Sequence, residues 1–422
     1  MHKRLIAIAA AMAAFAVWPA LAGACTSSDP SPVWMTGLEH GVSSTISGQP
    51  FASGSNGGTT DSGPDSTIKR SGNYSLRLHP TGSSLVYRDE VVNWKPVLVE
   101  RFYLRLDSLP TANVRELAGV YTTTYTAKNS GGTSPRYAAH LGYNASSASL
   151  TMELNTSTPG TPVPATVPIT PGDWHLIEIR YDVANGAAYG ATTTHKVDWR
   201  VDGVDEPQVT LANRPSTYIN EVTWGTTFTP DAFAANYDDF LLSQTASNYP
   251  VGDGRIMRLG PNDSSGPHNG VQNFKDVENG VASDIGPTTW MGVNDVPFAV
   301  PGRHIAQINN SSTSYVQLGF EDTVEPCVRA VIGWVAWDPQ NTKYDNNGTT
   351  KVVDGSTEST IFSGKMSYTS TQPWIRSSIV QPSSGNWTAD EVNGLVARVG
   401  YSTDTSPRPW WDALMLEYEA SP

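Results

Sequence analysis

Apolar and polar residues alternate along much of the chain, the period expected of strands that turn one face to a core. In VLVERFYLRLDSLP, residues 97–110, Glu100, Phe102, Leu104 and Leu106 fall on one face and Arg101, Tyr103 and Arg105 on the other. The first set is therefore expected to line a core. The same period recurs in SGNYSLRLHP, ELAGVYTTTY, RYAAHLGYN, ASLTMELN, GDWHLIEIRYDV, HKVDWRVDGVDEPQVTL and NYDDFLLS. Val197, Trp199 and Val201 point one way, and Asp202-Gly203 predicts a two-residue hairpin turn, because that dipeptide tolerates positive φ. No apolar run at helical spacing occurs between Trp34 and Ser243.

A second series follows in CVRAVIGWVAW, TESTIFSGKMSY, PWIRSSIVQ, GLVARVGYST and DALMLEYEA. Asn347-Gly348 predicts another hairpin turn. Thr388 and Glu391 have the spacing of a capping box, which predicts one short helix over Ala389–Leu395. Between the two series, NYDDFLLSQTASNYPVGDGRIMRLGP passes from a strand into a stretch too rich in Gly, Pro and Asn to continue it. The pattern predicts an all-β protein of two antiparallel β-sandwich (jelly-roll-like) domains in tandem, at 34–245 and 273–422. A connector at 246–272 joins them.

Composition supports this and adds a compartment. The 422 residues suffice for two cores, and 37 Gly, 30 Pro and only 16% charged residues suit many short strands joined by turns. Residues 1–24 open with a basic MHKR, continue with an apolar run and end in small residues, which reads as an export signal. Cleavage after Ala24 would leave Cys25 at the start of a short linker, 25–33. This makes Cys25 a candidate lipidation site and places the protein in the secreted or cell-surface class. Ala22 stands where a lipoprotein signal usually has Leu, Val or Ile.

Only Cys25 and Cys327 occur, so a disulfide framework and a thiolate metal cluster are excluded. Cys327 reads as a small buried residue, with a Cys25–Cys327 bridge after export left open. A net charge of −13 without a Lys/Arg cluster beyond the signal excludes a nucleic-acid groove. No second apolar run reaches membrane-spanning length.

The order GLEHG, SGNYSLRL, GDWHLIEIRYD, VDWRVDG and YDDFLLS resembles a concanavalin A-like jelly roll of the laminin-G-like type. The second half, from GDGRIMRLGP through VRAVIGWVAW to TADEVNGLVARVGYS, is similar to the paired sandwiches of phage tail and other virion-surface proteins. These motifs imply fold more than activity.

The glycosidases of that fold carry Glu-x-Asp-x-x-Glu on one strand, and no such run is present; Glu178, Arg180 and Asp182 read instead as a salt-bridge ladder. The polysaccharide lyases of the fold carry Arg-Thr-Glu-x-Arg, Gln-Ile-His and Tyr-x-Lys-x-Gly, also absent. The expected function is therefore a non-catalytic module that binds a polysaccharide or surface glycan, or adheres. The alternative is a structural protein whose partners are copies of itself, and the third reading is a polysaccharide lyase or glycoside hydrolase.

Glycan-binding candidates are Arg101, Tyr103, Arg105, His140, Glu178, Arg180, Trp410 and Trp411, with Tyr121, Tyr125, Tyr137 and Tyr143 as further aromatic surfaces. Asp238 and Asp239 are candidate calcium ligands at a sheet rim, by likeness to laminin-G-like domains. No other cofactor is expected.

Overall fold

The protein is described here from a computed structural model. The described residues are 32–41, 51–122 except 52, 56 and 58, 137–154, 161–263 except 229, 274–278, 281–286, 291, 293, 303–307, 314–337, 346–366, and 374–421 except 384–385 and 402–409. The export signal, Cys25 and Tyr125 lie outside them, as do the side chains of Tyr137 and Trp410.

Strands dominate, as the alternation predicts. In the first half they are β1 (Pro32–Thr36), β2 (Ser53–Ser55), β3 (Gly63–Asp65), β4 (Ser75–Leu78), β5 (Val86–Lys95), β6 (Val97–Leu106), β7 (Val114–Tyr121) and β8 (Tyr137–Asn144). They continue as β9 (Ser149–Leu154), β10 (Val163–Pro164), β11 (His175–Asp182), β12 (Thr192–Val201), β13 (Val204–Asp205), β14 (Val209–Pro215), β15 (Ile219–Thr226) and β16 (Ala235–Ser243).

Two antiparallel sheets result. Sheet 1 runs β13-β12-β11-β6-β16-β4-β3, with β1 on β16 and β14 on β12; sheet 2 runs β10-β9-β8-β7-β15-β5-β2. Their inner faces share one core in which Phe102, Leu104, Val197, Trp199, Val201, Leu141, Met152, Val222 and Trp224 are buried. Glu100 enters this core with its neighbours. Tyr181 Oη donates to its Oε2 at 3.0 Å, and burial pushes its carboxyl up to about 8. Asp202 and Gly203 have φ of 51° and 77° and join β12 to β13 as the expected hairpin turn.

The second half contains β17 (Arg255–Leu259), β18 (Pro261–Asp263), β19 (Phe274–Glu278), β20 (Val281–Ser283), β21 (Arg303–Gln307), β22 (Tyr315–Phe320) and β23 (Val328–Trp337). It ends with β24 (Asn346–Asp354), β25 (Thr357–Met366), β26 (Trp374–Val380), β27 (Val396–Tyr401) and β28 (Trp410–Ala420). Sheet 3 is β20-β19-β21-β28-β23-β26 with β17 on β28, and sheet 4 is β18-β22-β27-β24-β25. A second core containing Val331, Val335, Val399, Trp411 and Leu416 lies between them.

Three local expectations change. Asn347-Gly348 is inside β24, paired with Lys365 and Gly364, and the turn comes at Gly355, where φ is 56°. The stretch read as a connector contributes β17, because Ile256 and Leu259 find buried places beside β28. The helix α1 spans Ala389–Asn393 with both capping-box bonds formed, and stops two residues earlier than expected because Gly394 caps it.

Cys327 is disulfide-bonded, and Cys25 is the one other cysteine in the sequence. Among the described residues, no helix is long and apolar enough to cross a membrane.

The outer face of sheet 1 is covered by the second half. A third apolar cluster gathers Met35, Val99, Leu241, Ile256, Ile332, Trp334 and Met415 from both halves. Trp334, legible as a core residue, is fully buried in this contact, with His40 edge-on at 4.9 Å and its Nε1 donating to Glu417 Oε2 at 2.9 Å.

Candidate functional site

The residues expected to bind a ligand on β6 and β11 meet protein instead. Arg101 is fully buried and pairs with Glu419, which also takes Arg329. Tyr103 donates to Asp253 and lies under the Arg70 guanidinium, 3.4 Å from its ring centroid. Glu178 Oε1 accepts from Gly252 N at 2.6 Å. A glycan has no route to Arg101, Tyr103 or Glu178, and their reading as ligand-binding residues is corrected: alternation turned them away from their own core, and a second sheet covered them.

Arg105 and Arg180 stay nearer the rim, bonded to Asp107 at 2.5 Å and Asp198 at 2.7 Å. The ladder expected along β11 therefore forms across strands, with Arg180 on Asp198 of β12. Trp411 is also corrected, since it is fully buried in the second core and donates to Thr350 Oγ1 at 3.1 Å.

Asp238 and Asp239 occupy a bulge in β16, where Asp239 has φ of 51°. Asp238 Oδ2 accepts from Arg70 N at 2.8 Å, and Asp239 accepts from Arg70 Nη1, Ser71 Oγ and Ile256 N at 2.6, 2.7 and 2.5 Å. Asp238 holds the Arg70–Ser71 backbone within the first half, and Asp239 serves the contact between halves through Ile256 N. Among the described residues, no group of three or more His, Cys, Asp or Glu side chains is placed to hold a metal ion.

His140 goes elsewhere, to the outer face of sheet 2. The strand register aligns Ser53, Asp89, Thr223, Gly119, His140 and Glu153 in one row across six neighbouring strands. The residues flanking Thr223, Gly119, His140 and Glu153, among them Val222, Trp224, Ala118, Val120, Leu141 and Met152, enter the core, so alternation turns Thr223, His140 and Glu153 to the far side. His140 Nε2 is 3.0 Å from Glu153 Oε2, and both are buried at 1% and 6% exposure. A carboxylate on Nε2 fixes the imidazole tautomer and leaves Nδ1 as the basic nitrogen.

Tyr121 lies two residues along β7 from Gly119, the residue opposite His140, with a register shift of the β7–β8 pairing between Val120 and Tyr121. Its hydroxyl donates to Glu116 Oε1. Glu116 also accepts from Thr223 Oγ1 at 2.9 Å and from Thr227 N and Oγ1 at 2.7 Å each. Gly119 makes room for this carboxylate: a Cβ there would stand 2.7 Å from Glu116 Oε1.

With Glu221 one step along β15, the face gathers His140, Tyr121 and the carboxylates Asp89, Glu116, Glu153 and Glu221, all buried. Such a set can take up a proton at one point and deliver one at another. Tyr143, by contrast, pairs with Leu150 and joins the core.

No family model matches the chain, and no curated protein matches it. Solved structures with some likeness include an endo-β-1,4-glucuronan lyase from the fungus Trichoderma reesei, 12% identical, covering 48% of this chain and 96% of that one at a TM-score of 0.37. Alginate lyase Aly36B bound to alginate tetrasaccharide is 10% identical, with 51% and 98% covered and a TM-score of 0.36. A Trypanosoma rangeli sialidase is 11% identical, with 44% and 27% covered and a TM-score of 0.29.

These neighbours stand against the expectation of a non-catalytic binding or structural module, and that expectation is withdrawn. At such TM-scores the superpositions carry no residue correspondence and no argument for an activity. Any case for chemistry rests on the His140 face.

Proposed function

We propose that the first sandwich, of the concanavalin A-like jelly-roll type, cleaves a polysaccharide by β-elimination at the outer face of sheet 2. The observation that carries this is the His140–Glu153 pair at 3.0 Å on the same buried polar face as Tyr121. In a uronate unit the proton α to the carboxylate is the acidic one. His140 Nδ1 takes it, and the electron pair moves into a C4–C5 double bond as the C4–O bond breaks. Tyr121 gives its proton to the departing oxygen.

Glu153 stabilises the imidazolium, and Glu116 holds the Tyr121 hydroxyl in place. Because His140 is 1% exposed, the reaction requires this face to open to the polymer.

The concentration of carboxylates favours a second reading, hydrolysis of a neutral glycan by an acid pair drawn from Asp89 and Glu221. Mass spectrometry of the products from alginate, polyglucuronate and a neutral β-glucan separates the two. Elimination leaves an unsaturated end and adds no water, whereas hydrolysis adds one water per cleavage. The proposal expects unsaturated products from one of the uronates, lost in His140→Ala; saturated products alone, or cleavage of none, would overturn it.

A further inference from the structure

Among the described residues most large aromatics are buried and several others are half-buried: Trp199, Trp224 and Trp334 are 1%, 0% and 0% exposed. Trp94 breaks the pattern at 61% and Tyr189 at 65%. Leaving an indole in water forgoes a large apolar burial, so a surface Trp is informative where a surface Leu is not.

A specific piece of backbone puts Trp94 there. Opposite Ile219–Glu221 of β15, β5 runs from Val91 to Lys95, so four steps of one strand span two of the other. The surplus forms a bulge, and bulges re-aim side chains. Tyr189 is fixed by a different device. It stacks on half-buried Tyr218 with ring centroids 5.0 Å apart and planes at 22°, which leaves its other face to solvent.

The two aromatics belong to the same end of the sandwich. Val183 N donates to Pro96 O at 2.9 Å, Thr217 N to Val183 O at 3.2 Å and Gly190 N to Ser216 O at 2.9 Å, tying the Trp94 corner to the loops that carry Tyr218 and Tyr189. That end continues the His140 face. Val91, 49% exposed, pairs with Glu221, and Asp89 with Thr223 of the polar row. From Thr223, opposite Asp89, to Ile219, opposite Lys95, is about 13 Å of extended β15, the length of a few sugar units.

We propose that Trp94 and Tyr189 form a sugar-stacking platform that grips a polysaccharide chain several units away from the one lying over His140. The platform rests on the polysaccharide-cleaving reading and names where its polymer is held. Apolar C–H faces of pyranose rings suit open aromatic faces. The surroundings suit a sugar better than a second protein surface: exposed Asn93 and Lys95 flank Trp94, and exposed Asn185 and Gly190 lie near Tyr189. Lys95 also brings a cation to a polymer of uronates, beside a site face that is itself acidic.

Affinity electrophoresis of the full chain through gels containing alginate, polyglucuronate or a neutral β-glucan tests this. Wild type is expected to be retarded in at least one gel, and His140→Ala equally so. The double variant Trp94→Ala/Tyr189→Ala should bind that polymer about ten-fold more weakly, with retention restored by Trp94→Phe/Tyr189→Phe. Both sites are exposed, and an unchanged melting temperature confirms folding. Retardation of the double variant like wild type, no retardation of wild type in any gel, or a dimer converted to monomer by the double variant in sedimentation would each overturn the platform. Product analysis of wild type against His140→Ala reads cleavage separately, so failure of the platform and failure of the chemistry are distinguishable.

Discussion

At the scale of single residues, the His140–Glu153 contact is the chemically informative pair. A positioned base is worth roughly 10²–10⁴-fold in rate, so His140→Ala should remove most of the activity. Glu153→Gln keeps the shape but loses the charge that stabilises the imidazolium, and should lower kcat at an unchanged melting temperature; a merely structural role would lower the melting temperature along with the activity. His140 and Tyr121 were legible in the sequence as polar or aromatic positions within strands. Their partners were not: Glu153, Glu116 and Thr223 come from three different strands, and only the register of sheet 2 places them together. A usable signal exists in hindsight, since His140 and Glu153 each stand alone among apolar neighbours in RYAAHLGYN and ASLTMELN.

Titration of the buried acids gives a second prediction at this scale. Glu417 accepts from Thr36 Oγ1, Glu39 N and Trp334 Nε1 at 3.1, 2.9 and 2.9 Å, and Glu39 accepts from Asn73 N at 2.8 Å. Burial pushes both carboxyls from 4.5 up to about 8. The folded protein then holds these protons more tightly than the unfolded chain. Their contribution is fully present below about pH 4.5, declines as pH rises toward 8, and is lost above the folded values. The melting temperature should therefore fall across that window, and Glu417→Gln should flatten the fall. Asp61, Asp65 and Glu358, whose carboxyls are held below their usual values by partners such as His79, Thr67 and Lys351, act oppositely and only at acid pH.

At the scale of elements, alternation showed which residues face a strand's own core and was silent about what covers the other side. Phe102, Val197 and Trp199 were placed correctly for that reason, whereas Arg101 and Tyr103 looked like a ligand face and are a contact between sandwiches. The Asn347-Gly348 dipeptide misled because turn preference is local and strand pairing is not: the register of β24 with β25 carries the turn to Gly355. Gly225 shows the converse, a residue whose identity the strand requires. Its φ is 93°, and a Cβ there would stand 2.3 Å from Val86 O. Gly225→Ala should cost at least ~1–3 kcal/mol of stability, measured by denaturant unfolding.

At the scale of the whole molecule, the two sandwiches are joined by an apolar patch flanked by ion pairs. Arg101 and Arg329 share Glu419, and Arg329 also reaches Val251 O at 2.8 Å and Asp253 O at 3.1 Å in the segment between the halves. Arg101→Ala would leave Glu419 with Arg329 as its remaining guanidinium, and should cost about 1–3 kcal/mol. Arg101→Met and Arg329→Met with Glu419→Leu should recover much of that, because together they remove all three buried charges. Two calorimetric transitions in place of one for Arg101→Ala would show that this contact couples the halves.

The central claim is that chemistry belongs to the outer face of sheet 2 and not to the arginine-bearing face of sheet 1. The most direct measurement is the initial rate of depolymerisation of the cleaved polymer by wild type, His140→Ala and Arg180→Ala. The account predicts a fall of about 10²–10⁴-fold for His140→Ala and a wild-type rate for Arg180→Ala. A His140→Ala protein as fast as wild type, or an Arg180→Ala protein that has lost activity while keeping its melting temperature, would contradict it.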